Sequence, residues 1–392
     1  MAIKFLSLYD HIMDDGYILK KTEKSLPLKW YYDQQQFDHE ISKIWTDEWF
    51  YVIHESALAD PLSFVTVEVS KYNILLLKDR DGNINSYFNT CSHRGSILQK
   101  DSSGRLKSNL LVCPYHQWSY NASNGDLVRT TSINDPKDFN KESKCLTKVN
   151  LKIWNGLIFI NLNNKAEWDA ESVFVDYSSA FLKLNVGDYK LGHTWKKNIQ
   201  CNWKIFWENY SECLHCPNLH PELSDLVPIY GRRLVDIKDD PDWERLIDNP
   251  DPKFQGGMRE GVQTWSMDGS AQGHKDQYLE SMNDFPGYIY MTSWPSVFIA
   301  IFTDHIRMVR VLPISNDETE ITAEWLFREA TLNDPNYDKK NVIDFAVLVM
   351  KQDGEACELN QKGVYNPVRE AGTLMPEEYE IKRFHDWLKS KI

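Results

Sequence analysis

The sequence predicts an α+β protein of two domains, a small all-β domain and a larger one in which an antiparallel sheet packs with helices. Three observations carry this. Strand-length runs separated by turn signals crowd residues 49–163. Helical character begins only near Asn202. The long strand-like stretches Gly287–Pro313 and Glu318–Phe327 are then followed by helical segments to the C-terminus. The expected division is 46–165 for the first domain, with 1–45 and 166–392 forming the second. A chain of 392 residues with 42% apolar and 26% charged side chains is long enough for two such cores.

In the first domain Ser63–Val69 alternates, Asn73–Lys78 is apolar, and Arg80–Asn83 holds an Asp-Gly hairpin turn. Leu110–Cys113 reads as another strand, Asn121–Gly125 as a turn, and Leu151–Leu162 as one closing strand. Gly156–Leu162 and Ser296–Phe302 are apolar enough to be buried strands. In the second domain Asn202-Trp203-Lys204 opens a helical segment that Pro217 and Pro221 end or kink. Asp239–Gly257, rich in Asp, Pro and Gly, reads as a loop. Pro335–Tyr337 breaks the chain before a helix over Asn341–Asn360, and a last helix covers Pro376–Lys391. There is no internal repeat or low-complexity tract.

No apolar run approaches the roughly 18 residues of a membrane span, and Met1–Asp15 lacks the apolar core of a signal peptide. A cytoplasmic location is the expectation. A net charge of −13 argues against a nucleic-acid partner, is compatible with a cationic substrate or a basic redox partner, and mostly reports solubility. Seven cysteines without a secretory signal argue against a disulfide framework and turn attention to thiolates as metal ligands.

Cys91-Ser92-His93 and Cys113-Pro114-Tyr115-His116 each place one thiolate and one imidazole on a loop. Two such loops can supply two Cys to one iron and two His to the other, the Rieske [2Fe–2S] arrangement. Cys₂His₂ sets also bind zinc, but zinc fingers pair Cys with Cys and His with His. With Arg94-Gly95 after the first half, and Gln117-Trp118 after His116, the region resembles the Rieske oxygenase family, whose pattern is C-x-H-R-G then C-x-Y-H-G-W. It departs in having Gln117 where glycine is usual, and in a long spacer from Arg94 to Val112.

A second cluster lies in Glu208-Asn209-Tyr210-Ser211-Glu212-Cys213-Leu214-His215-Cys216-Pro217-Asn218-Leu219-His220, where two histidines sit five apart beside acids. An oxygen-activating iron(II) uses two imidazoles and one carboxylate on a single face and leaves positions open. The resemblance extends here: the family's catalytic motif N-W-K…E-N-x-x-E/D-x-x-H-x₄-H is matched by Asn202-Trp203-Lys204, Glu208-Asn209, Glu212, His215 and His220. It implies His215 and His220 as iron ligands, with Asp353 as the third, while Glu355 and Glu358 compete for that role. It further implies a helix-grip-like catalytic domain. Glu212, three residues before His215 and on its face if helical, is the family's acidic bridge to a Rieske histidine, His93 or His116, of a neighbouring subunit in a homotrimer. Cys213 and Cys216 read as packing residues despite their C-x-x-C spacing, and Cys145, Cys201 and Cys357 as buried.

Both sites in one chain imply an oxidoreductase that reduces O₂ with NAD(P)H-derived electrons, delivered by a separate flavin/iron–sulfur reductase, since no nicotinamide or flavin fingerprint is present. The resemblance is closest to the group acting on glycine betaine, carnitine and related quaternary amines. It covers most of the chain, including Met267-Asp268-Gly269, Gly287-Tyr288-Ile289-Tyr290 and Trp294-Pro295-Ser296. It implies a monooxygenase or N-demethylase attacking a carbon next to nitrogen. A trimethylammonium head is recognised by aromatic faces, which 14 Trp, 19 Tyr and 17 Phe permit without locating, so substrate-binding residues are unassigned. An aromatic ring-hydroxylating oxygenase uses the same metals. A Rieske electron carrier would need only the first domain.

Overall fold

The computed structural model describes residues 19–174, 181, 183–246, 248–282, 285–366 and 368–392; Met1–Asp15, read for a leader, lies outside them. The described residues divide into two compact units, 45–169 and the residues up to 44 with 170–392. No described helix is long and apolar enough to cross a membrane.

The unit 45–169 holds three antiparallel sheets. One has the order Asn150–Trp154, Leu157–Asn161, Phe50–His54; the second Ile84–Phe88, Tyr72–Lys78, Ser63–Val69, Ser103–Arg105; the third Leu110–Val112, Ser119–Asn121, Leu127–Arg129. The stretch read as one closing strand is a hairpin. Asn155 and Gly156 both have positive φ, +49° and +81°, which a two-residue Asn-Gly turn adopts readily. Phe64, Leu75, Leu77, Tyr87 and Leu111 build the core beneath the two cysteine loops, and Cys91, Cys113 and Tyr120 belong to that core.

The second unit is built on one five-stranded antiparallel sheet, in the order Tyr189–Ile199, Glu318–Arg328, Ile306–Ser315, Val297–Phe302, Tyr288–Ser293. The stretch Gly287–Pro313 is thus three strands. Val297–Phe302 is buried throughout and Ile306–Ser315 over its first eight residues, hence the unbroken apolar runs. Tyr189–Ile199 had no such signal: it is an edge strand carrying Lys190, Lys196 and Lys197, with most of its length partly or fully exposed. A short ribbon pairing Glu23–Pro27 with Ala371–Leu374 was also unforeseen.

The helix Lys339–Val364 outruns the predicted Asn341–Asn360 at both ends and is capped by Asp338, which accepts from the Lys340 amide. Phe345, Val349, Met350, Asp353, Cys357 and Gln361 recur at helical spacing and form its buried side. It packs against the helix Trp203–Asn209 and against the strand Tyr189–Ile199. Gly354 permits that approach, since a Cβ there would stand 3.1 Å from Ile199. Asn202 caps the helix Trp203–Asn209 by accepting from the Lys204 amide. This helix ends before Glu212, so Glu212 and His215 do not share a helix face. Pro217 and Pro221 start the short helices Cys216–Leu219 and Pro221–Leu226 rather than ending a long one, as the missing N–H of proline allows in a first turn. The stretch 239–257 contains short helices at Trp243–Leu246 and Pro252–Gln255, and the final helix is Tyr379–Lys391, entered through a 3₁₀ turn at Pro376–Glu378.

Candidate functional site

His215 arrives from the irregular segment after the helix Trp203–Asn209, His220 from the junction of the two proline-started helices, and Asp353 from the buried side of the long helix. One ligand atom from each lies within 4.8 Å of the others, and this is the one such His/Cys/Asp/Glu group among the described residues. Asp353 Oδ1 stands 2.9 Å from His220 Nε2 and 3.4 Å from His215 Nε2. The opposite ring nitrogens are occupied. His215 Nδ1 donates to Glu212 at 2.5 Å, and His220 Nδ1 donates to Gln352 at 2.8 Å. Both rings are thereby turned so that Nε2 faces Asp353, which is how outer partners orient metal-binding histidines. The second Glu212 oxygen accepts from the Leu214 amide, fixing the carboxylate in turn.

Without a metal the three groups pair with one another, and a bound cation would displace the proton shared between the imidazoles and the carboxylate. Burial opposes a charge on His215, but bonds to Asp353 and Glu212 outweigh it and raise its pKa to about 9. Burial likewise opposes ionisation of Asp353, and the two histidines outweigh it, holding the carboxyl below its usual range. Two neutral-capable imidazoles and one ionised carboxylate on one face match an iron(II) site with open positions. The sequence candidates Glu355 and Glu358 do not join the cluster: Glu355 is exposed, and Glu358 accepts from the Gln200 amide. Beside the triad opens a pocket walled by Tyr210, Tyr230, Trp265, Tyr290, Trp294 and Phe298. Gln352 carried no recognisable sequence signal, and Tyr210, Tyr290 and Trp294 stood in segments quoted for the resemblance without being assigned to a pocket.

On the other unit, Cys91 and Cys113 are buried, 2% and 1% exposed, as free thiols in hydrogen-bond contact, while His93 and His116 sit outward with ring centres 4.7 Å apart. A single zinc would draw all four ligand atoms to one point. A buried sulfur pair and an outer imidazole pair instead suit a two-iron cluster. Trp118 stacks on His93 at 4.5 Å, 11° from parallel. Gly95 and Gln117 take corresponding positive φ values, +80° and +58°, so the glutamine occupies a left-handed position that glycine fills at lower cost.

Tyr120 Oη lies 3.0 Å from Cys91 Sγ. Hydrogen bonds to cluster sulfur stabilise the more negative, reduced state. Tyr120→Phe should therefore lower the Rieske reduction potential by roughly 50 mV, on the order of 1 kcal/mol for one electron, as read by protein-film voltammetry.

The remaining cysteines correct two expectations. Cys213 and Cys216 do pack in the core, but they are joined as a disulfide, so at least one cross-link exists where none was expected. Cys145 is half-buried beside Asp126 rather than buried, while Cys201 and Cys357 are buried and bond to each other as free thiols.

Residues 48–141 match the family described as Rieske [2Fe-2S] domain, and residues 186–392, more than half the chain, match that described as ring hydroxylating alpha subunit (catalytic domain). The chain belongs to this family of Rieske-type non-haem iron oxygenases: an oxidoreductase using a [2Fe–2S] cluster, a mononuclear iron, O₂ and electrons supplied by a reductase. It is similar to the glycine betaine monooxygenase oxygenase subunit of Pseudomonas aeruginosa, 26% identical over 392 aligned residues, covering 94% of this chain and 89% of that one. It is also similar to the carnitine monooxygenase oxygenase subunit of Escherichia coli, 30% identical over 223 residues, 56% of this chain and 59% of that protein. Its fold matches the crystal structure of the quaternary ammonium Rieske monooxygenase CntA in complex with L-carnitine, with TM-score 0.72, 21% identity, and 95% and 97% of the two chains covered.

Proposed function

We propose that this protein is a monooxygenase that hydroxylates a carbon next to nitrogen in a quaternary amine of the betaine or carnitine type. The observation that carries the reading is the aromatic-walled pocket opening on His215, His220 and Asp353. A trimethylammonium head has no N–H to donate and is held by ring faces, and such a wall also excludes water from the reacting carbon. The names of the relatives point to the same substrates.

In this reading Cys91, His93, Cys113 and His116 hold the cluster, and His215, His220 and Asp353 hold the iron. Bound there, the metals supply electron storage and reductive O₂ activation. The chain's own part is to fix both imidazoles through Glu212 and Gln352, and to hold the substrate against the ring wall. An N-methyl hydroxylated at carbon collapses to formaldehyde and the smaller amine. Electrons come from NAD(P)H through a flavin/iron–sulfur reductase, and the availability of that reductant suits a cytoplasmic location. The test is formaldehyde release from glycine betaine, carnitine and related betaines with a supplied reductase. Silence across that panel, with turnover of an aromatic acid, would replace this reading by aromatic ring hydroxylation.

Glu212 has a second role in the proposal: in a homotrimer its carboxylate also accepts an N–H from His93 or His116 of a neighbouring copy. Glu212→Gln keeps the size and removes the charge. Turnover should fall by about 10–100-fold with the metal content retained. Stopped-flow reoxidation of the reduced cluster should slow by the same factor.

A further inference from the structure

Among the charged side chains around the pocket, Arg307 is placed unlike the other buried cations. It is 3% exposed and lies on the strand Ile306–Ser315. Its Nη2 donates to the Tyr210 hydroxyl at 3.3 Å, its guanidinium lies 5.6 Å from the Trp265 ring centre, and its Nε has no hydrogen-bond partner. No Asp or Glu among the described residues forms an ion pair with it. Its neighbour Arg310, 6% exposed, bonds Glu320 at 3.2 Å, and the fully buried Lys204 bonds Glu40 at 2.8 Å. A guanidinium withdrawn from water without a counter-ion is costly, and a fold that can pair Arg310 and Lys204 could pair this one.

The sheet register shows where the group is aimed. Tyr290, Ala300 and Arg307 are successive cross-strand partners and so share one face of the sheet, as do Thr292 and Phe298 two residues along. Tyr290, Thr292, Phe298 and Arg307 all line the pocket. Ala300, the small member of the row, is itself buried. Tyr210, which meets Arg307, also feels the charge of Asp353, so the cation and the iron ligands flank one aromatic ring.

We propose that Arg307 is the anchor for a carboxylate of the substrate, and that it makes the pocket selective for zwitterionic over simply cationic quaternary amines. The inference rests on the quaternary-amine reading for its ammonium end and on Arg307 alone for its anionic end. The planar guanidinium offers parallel N–H donors that match a carboxylate's two oxygens. A bare cation such as choline would bring positive charge towards the arginine, and a neutral hydrocarbon would leave it unpaired. A betaine answers both ends of the site. Arg307 is a specificity-determining residue in this account, with no part in bond breaking.

The test measures calorimetric binding to the iron-loaded oxygenase of γ-butyrobetaine, its methyl ester and 4-methoxybenzoate. The proteins are wild type, Arg307→Met and Arg307→Lys. The ester keeps the trimethylammonium group and loses only the negative charge. Wild type should prefer the acid to its ester by about 100-fold or more, a preference that falls to within roughly 3-fold in Arg307→Met. In Arg307→Lys about tenfold should remain. The same loss should appear in KM for the betaine. An equal weakening of acid and ester in Arg307→Met would assign the arginine to structure and overturn the anchor. So would a wild type that does not distinguish them. Should Arg307→Met fail to fold, as judged by its Rieske absorption and melting temperature, the wild-type preference and the lysine variant still decide. If wild type binds neither trimethylammonium compound but binds 4-methoxybenzoate through Arg307, the quaternary-amine reading falls and the carboxylate anchor stands. If no carboxylate binds in an Arg307-dependent way, the anchor itself falls.

Discussion

Asp353→Ala is expected to abolish turnover and leave the Rieske cluster intact. The three proposed iron ligands converge on Asp353, whose Oδ1 is 2.9 Å from one imidazole nitrogen and 3.4 Å from the other. The carboxylate is the sole anion of the set, so its removal withdraws the charge that favours a divalent ion along with one of three bonds. It also leaves the half-buried His215 facing the buried His220, and the His215 pKa, held up to about 9 by Asp353 and Glu212 against burial, loses one of its supports. Removing an outer-shell partner costs a metal site about 10–100-fold, so loss of a ligand should exceed about 10³-fold in activity. Elemental analysis should show about three irons per chain falling to about two, with about two acid-labile sulfides and an unchanged visible spectrum. Asp353→Asn, which keeps the oxygen and loses the charge, should fall between. An Asp353→Ala protein with full iron and activity would move the third ligand elsewhere.

How far the sequence reached depended on the range of the interactions. The four residues proposed to hold the cluster could be picked out because each Cys–His pair lies within four residues on one loop, so spacing alone groups them. His215 and His220 were legible for the same reason. Asp353 was reached only through resemblance, since it lies 133 positions from His220 and meets it through packing of the long helix. Gln352 was invisible although adjacent to Asp353, because a glutamine on a helix carries no mark of what it touches. Arg307 is a basic residue in a strand otherwise read from its apolar pattern, and only the register beside Tyr290 and Ala300 brings it to the pocket. The failures in the fold are of the same kind. The Asn155-Gly156 hairpin was submerged in an apolar run, and the edge strand Tyr189–Ile199 was hidden by its lysines. The Cys213–Cys216 disulfide lies among the proposed iron ligands, where the pattern alone favoured packing.

The Asn202-Trp203-Lys204 signature has a structural origin that predicts a large loss of stability. Lys204 and Glu40 are both fully buried, with Nζ 2.8 and 2.9 Å from the two carboxylate oxygens. Trp203 Nε1 donates to the same carboxylate at 2.9 Å, and Gln36 donates at 3.0 Å. Burial pulls the Lys204 pKa down while Glu40 resists, so the pair persists as a charged unit only because each partner is present. Lys204→Met leaves the Glu40 carboxylate buried with two neutral donors, a change that costs about 3–5 kcal/mol. Melting of the catalytic unit should fall by roughly 10 °C in calorimetry, while the transition of the cluster-bearing unit stays in place. Combining Lys204→Met with Glu40→Gln removes the stranded charge and lets the amide oxygen keep the Trp203 bond. The double variant should therefore recover more than half of the loss, although it carries one more substitution. The helix anchored by this pair also leads to Glu212 and His215, and Glu208 on it accepts from Tyr31 at 2.6 Å and His385 at 2.8 Å. Loosening its start should thus lower iron retention in Lys204→Met on mild heating before any unfolding is detected. A single variant as stable as wild type would mean that the carboxylate finds water or a proton, and that the motif's lysine serves something other than this pair.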